Sequence, residues 1–146
     1  MLFQPNRWQS SITHNVFSAQ TDMYFKNMQV EEIITRIEQT DDWFIIILYG
    51  KFVVKNLIRI RQAFEEAEKH HQLKIAIDLS NVTHIDSSAI TLLANFQKRL
   101  MEKNSGSVIF GAASDIAEMF SIVGLDRVIP INTDKKYYEK IIQNKS

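Results

Sequence analysis

From about residue 31 onward, apolar and polar positions alternate between a strand-like and a helix-like period. "EIITRIEQ" alternates at Ile33, Thr35 and Ile37, and "WFIIILYG" is a β-branched and aromatic run. Gln39-Thr40-Asp41-Asp42 between them supplies turn residues, so an antiparallel hairpin is predicted. "KNLIRIRQAFEEAEKHH" then places Leu57, Ile60, Phe64 and Ala67 on one helical face, with Arg59, Arg61, Glu65 and Glu66 outward. "LKIAIDL" is a short, nearly all-apolar run, the pattern of a central strand covered on both faces. The next helix carries Ala89, Leu92, Leu93, Phe96 and Leu100 inward, and "GSVIFGA" is the following strand. "SDIAEMFSIVG" reads as a helix with Ser114 as N-cap and Gly124 just past its end. "RVIPI" is an edge-like strand, since Pro130 has no N–H for a ladder, and "TDKKYYEKIIQ" is a final amphipathic helix.

The order β-β-α-β-α-β-α-β-α predicts an α/β fold: a mixed sheet with an N-terminal antiparallel hairpin followed by alternating helices and parallel strands. Residues 1–30 lack either period but hold Phe3, Trp8, Phe17, Tyr24 and Phe25. The chain therefore divides into an N-terminal extension (1–30) and one domain (31–146). The aromatics of the extension are expected to be buried, on the domain's own sheet or against a second copy in a homodimer.

Composition narrows the function classes. Seventeen basic and seventeen acidic residues give a formal net charge of zero, so no global field draws the chain to nucleic acid or an anionic membrane. Cysteine is absent, which removes disulfides, thiolate metal sites and thiol catalysis. The longest apolar run, "WFIIILY", is too short for a membrane-spanning helix, and the first residues lack the apolar core of a signal peptide. The expected location is cytoplasmic.

The chemistry concentrates in "THIDSSAIT", where an acid and two hydroxyls separate a buried strand from a helix. Ser87 has no G-x-S-x-G around it and no histidine placed as a base, which argues against a serine hydrolase. Asp78 ends a central strand, as a phospho-acceptor aspartate would, but no acidic pair follows the first strand to hold a metal. Asp78 is expected to accept hydrogen bonds from its following loop. No glycine-rich phosphate loop and no helical histidine pair occur. No metal, cofactor or catalytic residue is assigned. Asp86 or Ser87 is expected to cap the helix, and a serine there can also carry a phosphate stabilised by free amides and the helix dipole.

Residues 73–131 resemble a STAS domain, the fold of the bacterial anti-sigma factor antagonists, and the likeness extends over roughly 31–143. Its most specific parts are "DSS" at 86–88 and "SIVGLDRVIPI" at 121–131, in order and at the right spacing. The resemblance implies a protein that is not an enzyme: an antagonist that binds an anti-sigma factor and serine kinase of GHKL type. The kinase would inactivate it by phosphorylating Ser87, and a serine phosphatase would reverse the mark. Asp86 and Ser88 would complete the switch loop. Partner contacts are expected at Thr91 and Asn95 on the helix and at Lys51 in "YGKFVVK", within reach of Ser87. Two positions depart from the family pattern: Ala89 stands where glycine is usual, and Gly50-Lys51-Phe52-Val53 replaces glycine-acid-leucine-aspartate. The alternative implied by the same resemblance is a STAS interaction module of another assembly, stressosome-like or lipid-transporting, without a phospho-switch.

Overall fold

A computed structural model describes residues 32–132 and 134–143. The expectation for the aromatic extension falls outside these residues. Strands β1 (Ile34–Gln39) and β2 (Trp43–Phe52) pair antiparallel, from Ile34 opposite Tyr49 to Gln39 opposite Phe44. The turn between them forms because Thr40 Oγ1 accepts from the N–H groups of Asp42 (3.2 Å) and Trp43 (3.0 Å). The chain continues through α1 (Leu57–Glu68), β3 (Lys74–Ile85), α2 (Ser87–Glu102), β4 (Ser107–Phe110), α3 (Ser114–Val123), β5 (Ile131–Asn132) and α4 (Lys135–Gln143). The element order is the one predicted by the periodicity. No helix among the described residues is long and apolar enough to cross a membrane.

The five strands lie in sequence order, β1-β2-β3-β4-β5, with every pair after the first parallel. Successive crossovers of the usual right hand, all advancing the same way, deliver their helices to one face of a sheet. That face is the main core: Phe44, Ile46, Leu48, Ile75 and Ile77 meet Ile60 and Phe64 of α1, Leu93 and Phe96 of α2, and Phe120 of α3. The Phe64 and Phe96 rings stack at 4.3 Å and join α1 to α2. Gln97, buried in this layer, joins three elements with its amide. Its Oε1 accepts from Ser107 N (2.8 Å) and Ser107 Oγ (2.7 Å), while Nε2 donates to Val128 O (3.0 Å).

The opposite face carries Trp43, Ile45, Ile47, Tyr49, Ala76 and Phe110. Among the described helices, α4 reaches it, because no further strand follows to draw that helix to the first face. Tyr138 stacks on Phe110 at 4.6 Å and donates its hydroxyl to Asp78 Oδ2 at 2.7 Å. Burial, then the charge of Asp78 and the hydrogen bond to it, push the Tyr138 pKa far up, so this phenol remains a donor. Asp78 Oδ1 accepts from both the N–H and the hydroxyl of Ser80, which belongs to the continuing strand rather than to the loop expected there.

Three local details differ from the pattern-based reading. Ser114 already has helical backbone; Ala113 occupies the N-cap without a side-chain hydrogen bond. "RVIPI" contributes strand only at Ile131–Asn132, because a 3-10 turn (Leu125–Arg127) takes the preceding residues and Pro130 cannot donate. β3 runs well beyond the apolar run, to Ile85. Gly124 ends α3 in the left-handed region at φ 82°, as expected of that glycine.

Gly111 shows how tightly the Asp78 corner is packed. It has φ +77°, and an added Cβ would stand 2.8 Å from Ser80 Cβ and 3.2 Å from Asp78 Oδ1. Gly111→Ala is therefore expected to lower unfolding free energy by about 1–3 kcal/mol, from backbone strain and overpacking together. Urea unfolding measures it; a loss below half a kilocalorie would mean that this corner yields freely.

Candidate switch site at the tip of the β2–β3 ribbon

Pairing of β3 with β4 ends at Asp78 opposite Phe110, but pairing with β2 continues to Phe52 opposite Ile85. Beyond Asp78 β3 keeps only β2 beside it, and past Tyr49 and Asn81, where β1 ends, the two strands alone form a ribbon. Its β3 half is polar at Ser80, Asn81, Thr83 and His84, which suits a ladder with little cover, and Val82 alone turns fully inward. Register shifts near Tyr49 and Lys51, with Gly50 at φ 115°, add twist to the ribbon. Its last bond, Asp86 N to Phe52 O at 3.3 Å, delivers the chain to the start of α2.

Asp86 is the N-cap of α2, with extended backbone (φ −124°, ψ −179°). Its Oδ1 accepts from Ala89 N at 3.1 Å and from Ser88 Oγ at 2.5 Å. Its Oδ2 accepts from Val54 N at 3.0 Å, across 32 residues of sequence. That third bond has a local cause. Val53 precedes the 3-10 turn Val54–Asn56 and has no side chain able to cap it, so the turn's first amide takes the carboxylate of Asp86. Partial burial alone would raise the Asp86 pKa; the bonds from Ser88, Val54 and Ala89 outweigh it and hold the carboxyl below its usual range.

The two serines stand in different places. Ser87 is the first residue of α2 and is exposed; among the described residues its hydroxyl has no hydrogen-bond partner. The Ser88 hydroxyl is committed to Asp86 rather than to the helix amides. Ala89 is fully buried and still donates its N–H to the cap, so alanine at this position leaves the local geometry intact. Thr91 and Asn95 follow Ser87 on the exposed stripe of α2, and Thr91 Oγ1 donates to Ser87 O at 3.1 Å. Lys51 lies in the ribbon opposite His84, half-buried, on the strand that leads into the capped turn.

Two further residues belong to this site and carry no mark in the sequence pattern. Val54 supplies the amide just described and leaves its side chain 66% exposed. Asn56 is buried and donates from Nδ2 to Lys51 O at 2.8 Å, closing the turn from below. Neither role follows from periodicity, because each depends on which strand end the turn is folded against. A carboxyl with a lower pKa in the folded chain gives stability that is complete above its unfolded value and lost as pH falls through the folded one. Asp86→Ala should thus cost about 1 kcal/mol near neutral pH, and this difference should shrink as pH falls below the ordinary aspartate value of 3.8. Urea unfolding of both proteins across that range measures it; a gap that persists undiminished at the acid end would assign the loss to something other than the ionised cap.

The sequence model for the "STAS domain" matches residues 34–138. Two relatives named "Anti-sigma-B factor antagonist", from Listeria monocytogenes and Listeria innocua, are each 26% identical over 94 residues, 64% of this chain and 82% of theirs. Among solved structures, an anti-sigma factor antagonist from Mycobacterium paratuberculosis superposes with a TM-score of 0.67 at 20% identity, covering 76% of this chain and 94% of that one. The Bacillus cell fate determinant SpoIIAA in its phosphorylated form superposes with a TM-score of 0.57 at 16% identity, covering 74% and 99%. The matched span opens with the antiparallel hairpin and closes on the helix that carries Tyr138, and over that span the chain belongs to the STAS domain family.

Proposed function

We propose that this protein is an anti-sigma factor antagonist working by partner switching in the cytoplasm. It binds an anti-sigma factor that is also a GHKL-type serine kinase, and phosphorylation of Ser87 ends that binding until a serine phosphatase restores it. The protein binds and is modified; it performs no catalysis itself. The observation that carries this reading is the contrast between neighbouring hydroxyls: Ser87 exposed with a free hydroxyl, Ser88 held by the N-cap carboxylate. The names of the Listeria relatives and the fold of the phosphorylated SpoIIAA structure point the same way.

The physics of the site favours a switch that leaves the fold alone. A phosphoserine carries about −1.5 to −2 charges at pH 7. At the first residue of α2 the helix dipole offsets part of that charge, while Asp86 one residue away opposes it. The larger consequence falls on the partner, which meets an anionic group where it had met a hydroxyl. Thr91, Asn95 and Lys51 are its expected contacts.

Incubation with purified GHKL-type kinases of the same organism and ATP, read by mass spectrometry, tests the reading. Ser87→Ala should abolish labelling yet keep binding, and Ser88→Ala should still be labelled at Ser87. Ser87→Asp should weaken binding by at least ~1.4 kcal/mol, a factor of ten. Labelling that persists in Ser87→Ala, or a folded Ser87→Asp that binds like the parent chain, would overturn the switch and leave a STAS interaction module without one.

A further inference from the structure

The second face of the sheet is more deeply buried than the described elements explain. Along β1 and β2 it is closed: Glu38 is 2% exposed, Ile45 0% and Ile47 2%. Glu38 stands opposite Ile45, while its neighbour Ile37 turns to the main core, so the Glu38 side chain lies on the second face. A carboxylate on an edge strand is buried this deeply only when other side chains lie over it. Among the described residues, α1, α2 and α3 all pack on the first face. That leaves α4, which sits toward the far side of the sheet: Tyr138 stacks on Phe110 of β4 and bonds to Asp78 of β3. Strands lie about 4.8 Å apart and a helix is about 10 Å wide, so one helix covers about two strands. Placed on β3 and β4, α4 does not reach the edge strand. The Trp43 ring lies 6.2 Å from Phe110, which also turns it away from β1, and the Arg36 guanidinium lies over Tyr49 at 5.4 Å.

We infer that residues 1–31 fold back over β1 and β2 and close the second face with their apolar side chains. The burial is complete within a single chain, which favours this segment over a second copy. Composition favours it too. Outside the described residues, Thr133 and Asn144-Lys145-Ser146 are polar, whereas residues 1–31 hold Phe3, Trp8, Phe17, Tyr24 and Phe25. The segment also arrives at the right place, since Glu32 leads into β1, the strand that α4 leaves bare. Reach does not limit it: even at about 1.5 Å per residue, a segment of this length spans both strands several times over. Cover on this face leaves the tip open, because α2 packs on the opposite face and Ser87 and Thr91 are exposed in the same chain.

Thiol protection in the full chain tests the inference, because the sequence contains no cysteine to interfere. Trp8→Cys, Phe17→Cys and Phe25→Cys are made singly, and their reaction with DTNB is timed while light scattering gives the molar mass. At the mass of one chain, at least two of them should react about tenfold or more slower than the same variants in urea. Adding Ile45→Ala, which opens space in the face itself, should speed that reaction severalfold. Ala67→Cys, in the main core, should keep its protection in the same background; if it does not, Ile45→Val replaces Ile45→Ala as the milder change. Reaction at the urea rate in all three variants would show that residues 1–31 leave the sheet uncovered. Protection that disappears on dilution to the mass of one chain would give the face to a second copy. Protection indifferent to the change at Ile45 would put the aromatics somewhere other than this face.

Discussion

One carboxylate decides the geometry of the functional end of this molecule. Asp86 must cap a 16-residue helix, and its second oxygen is left to accept the first amide of a 3-10 turn that comes from the other side of the ribbon. A capping bond of this type stabilises by about 1 kcal/mol, a modest amount for the whole fold. Its structural effect is larger than its energy. The turn Val54–Asn56 meets the start of α2 at this group, while further along α1 and α2 are joined by the Phe64–Phe96 stack and by Arg99 pairing with Glu68 at 2.8 Å. Removing the charge would loosen the surface while leaving the interior packed.

The same device occurs twice, once within β3 and once just past its end. Asp78 and Asp86 each precede a serine by two residues, and in both cases the serine hydroxyl donates to the aspartate's Oδ1. The remaining oxygen then reaches a distant element: the Tyr138 hydroxyl from α4 for Asp78, the Val54 amide for Asp86. The two differ in what surrounds them. Asp78 is buried among aromatic rings beside a glycine that admits no Cβ, so it fastens α4 to the second face of the sheet. Asp86 sits half-exposed at a tip, where its neighbours remain accessible to another molecule. One local chemistry thus makes a fastening in one place and a presentable surface in the other, and burial alone separates them.

The element order, the main core and the capping of α2 by an aspartate were legible because each depends on residues close in sequence. Apolar positions in α1 and α2 are repeated at helical spacing, and the ones expected inward, such as Phe64 and Phe96, are fully buried. The length of β3 was not legible, since "SNVTHI" is polar enough to pass for a loop until β2 is known to pair with it. The roles of Gln97, Asn56 and Val54 were hidden for the same reason. Each pairs with a group that folding brings near: Val128 O, Lys51 O and the Asp86 carboxylate. The Ser88 hydroxyl donates to Asp86, an ionised acceptor two residues before it, and such charge-assisted bonds are the strong ones.

The departures from the usual family residues also become coherent at this tip. Ala89 is buried in the core cluster, where its methyl group adds apolar area. Val53 withdraws an acceptor from the turn, and Asp86 supplies it from across the ribbon. The carboxylate that caps the helix consequently has three donors on its two oxygens. A new negative charge beside it finds its compensation in the helix dipole, worth about 0.3–1 kcal/mol at an exposed site. Such a sum is too small to reorganise a fold whose core lies away from the tip, yet desolvating an unpaired charge in an interface costs several times more. The balance of these two magnitudes is what would let modification at Ser87 act on a partner while leaving the domain itself unchanged.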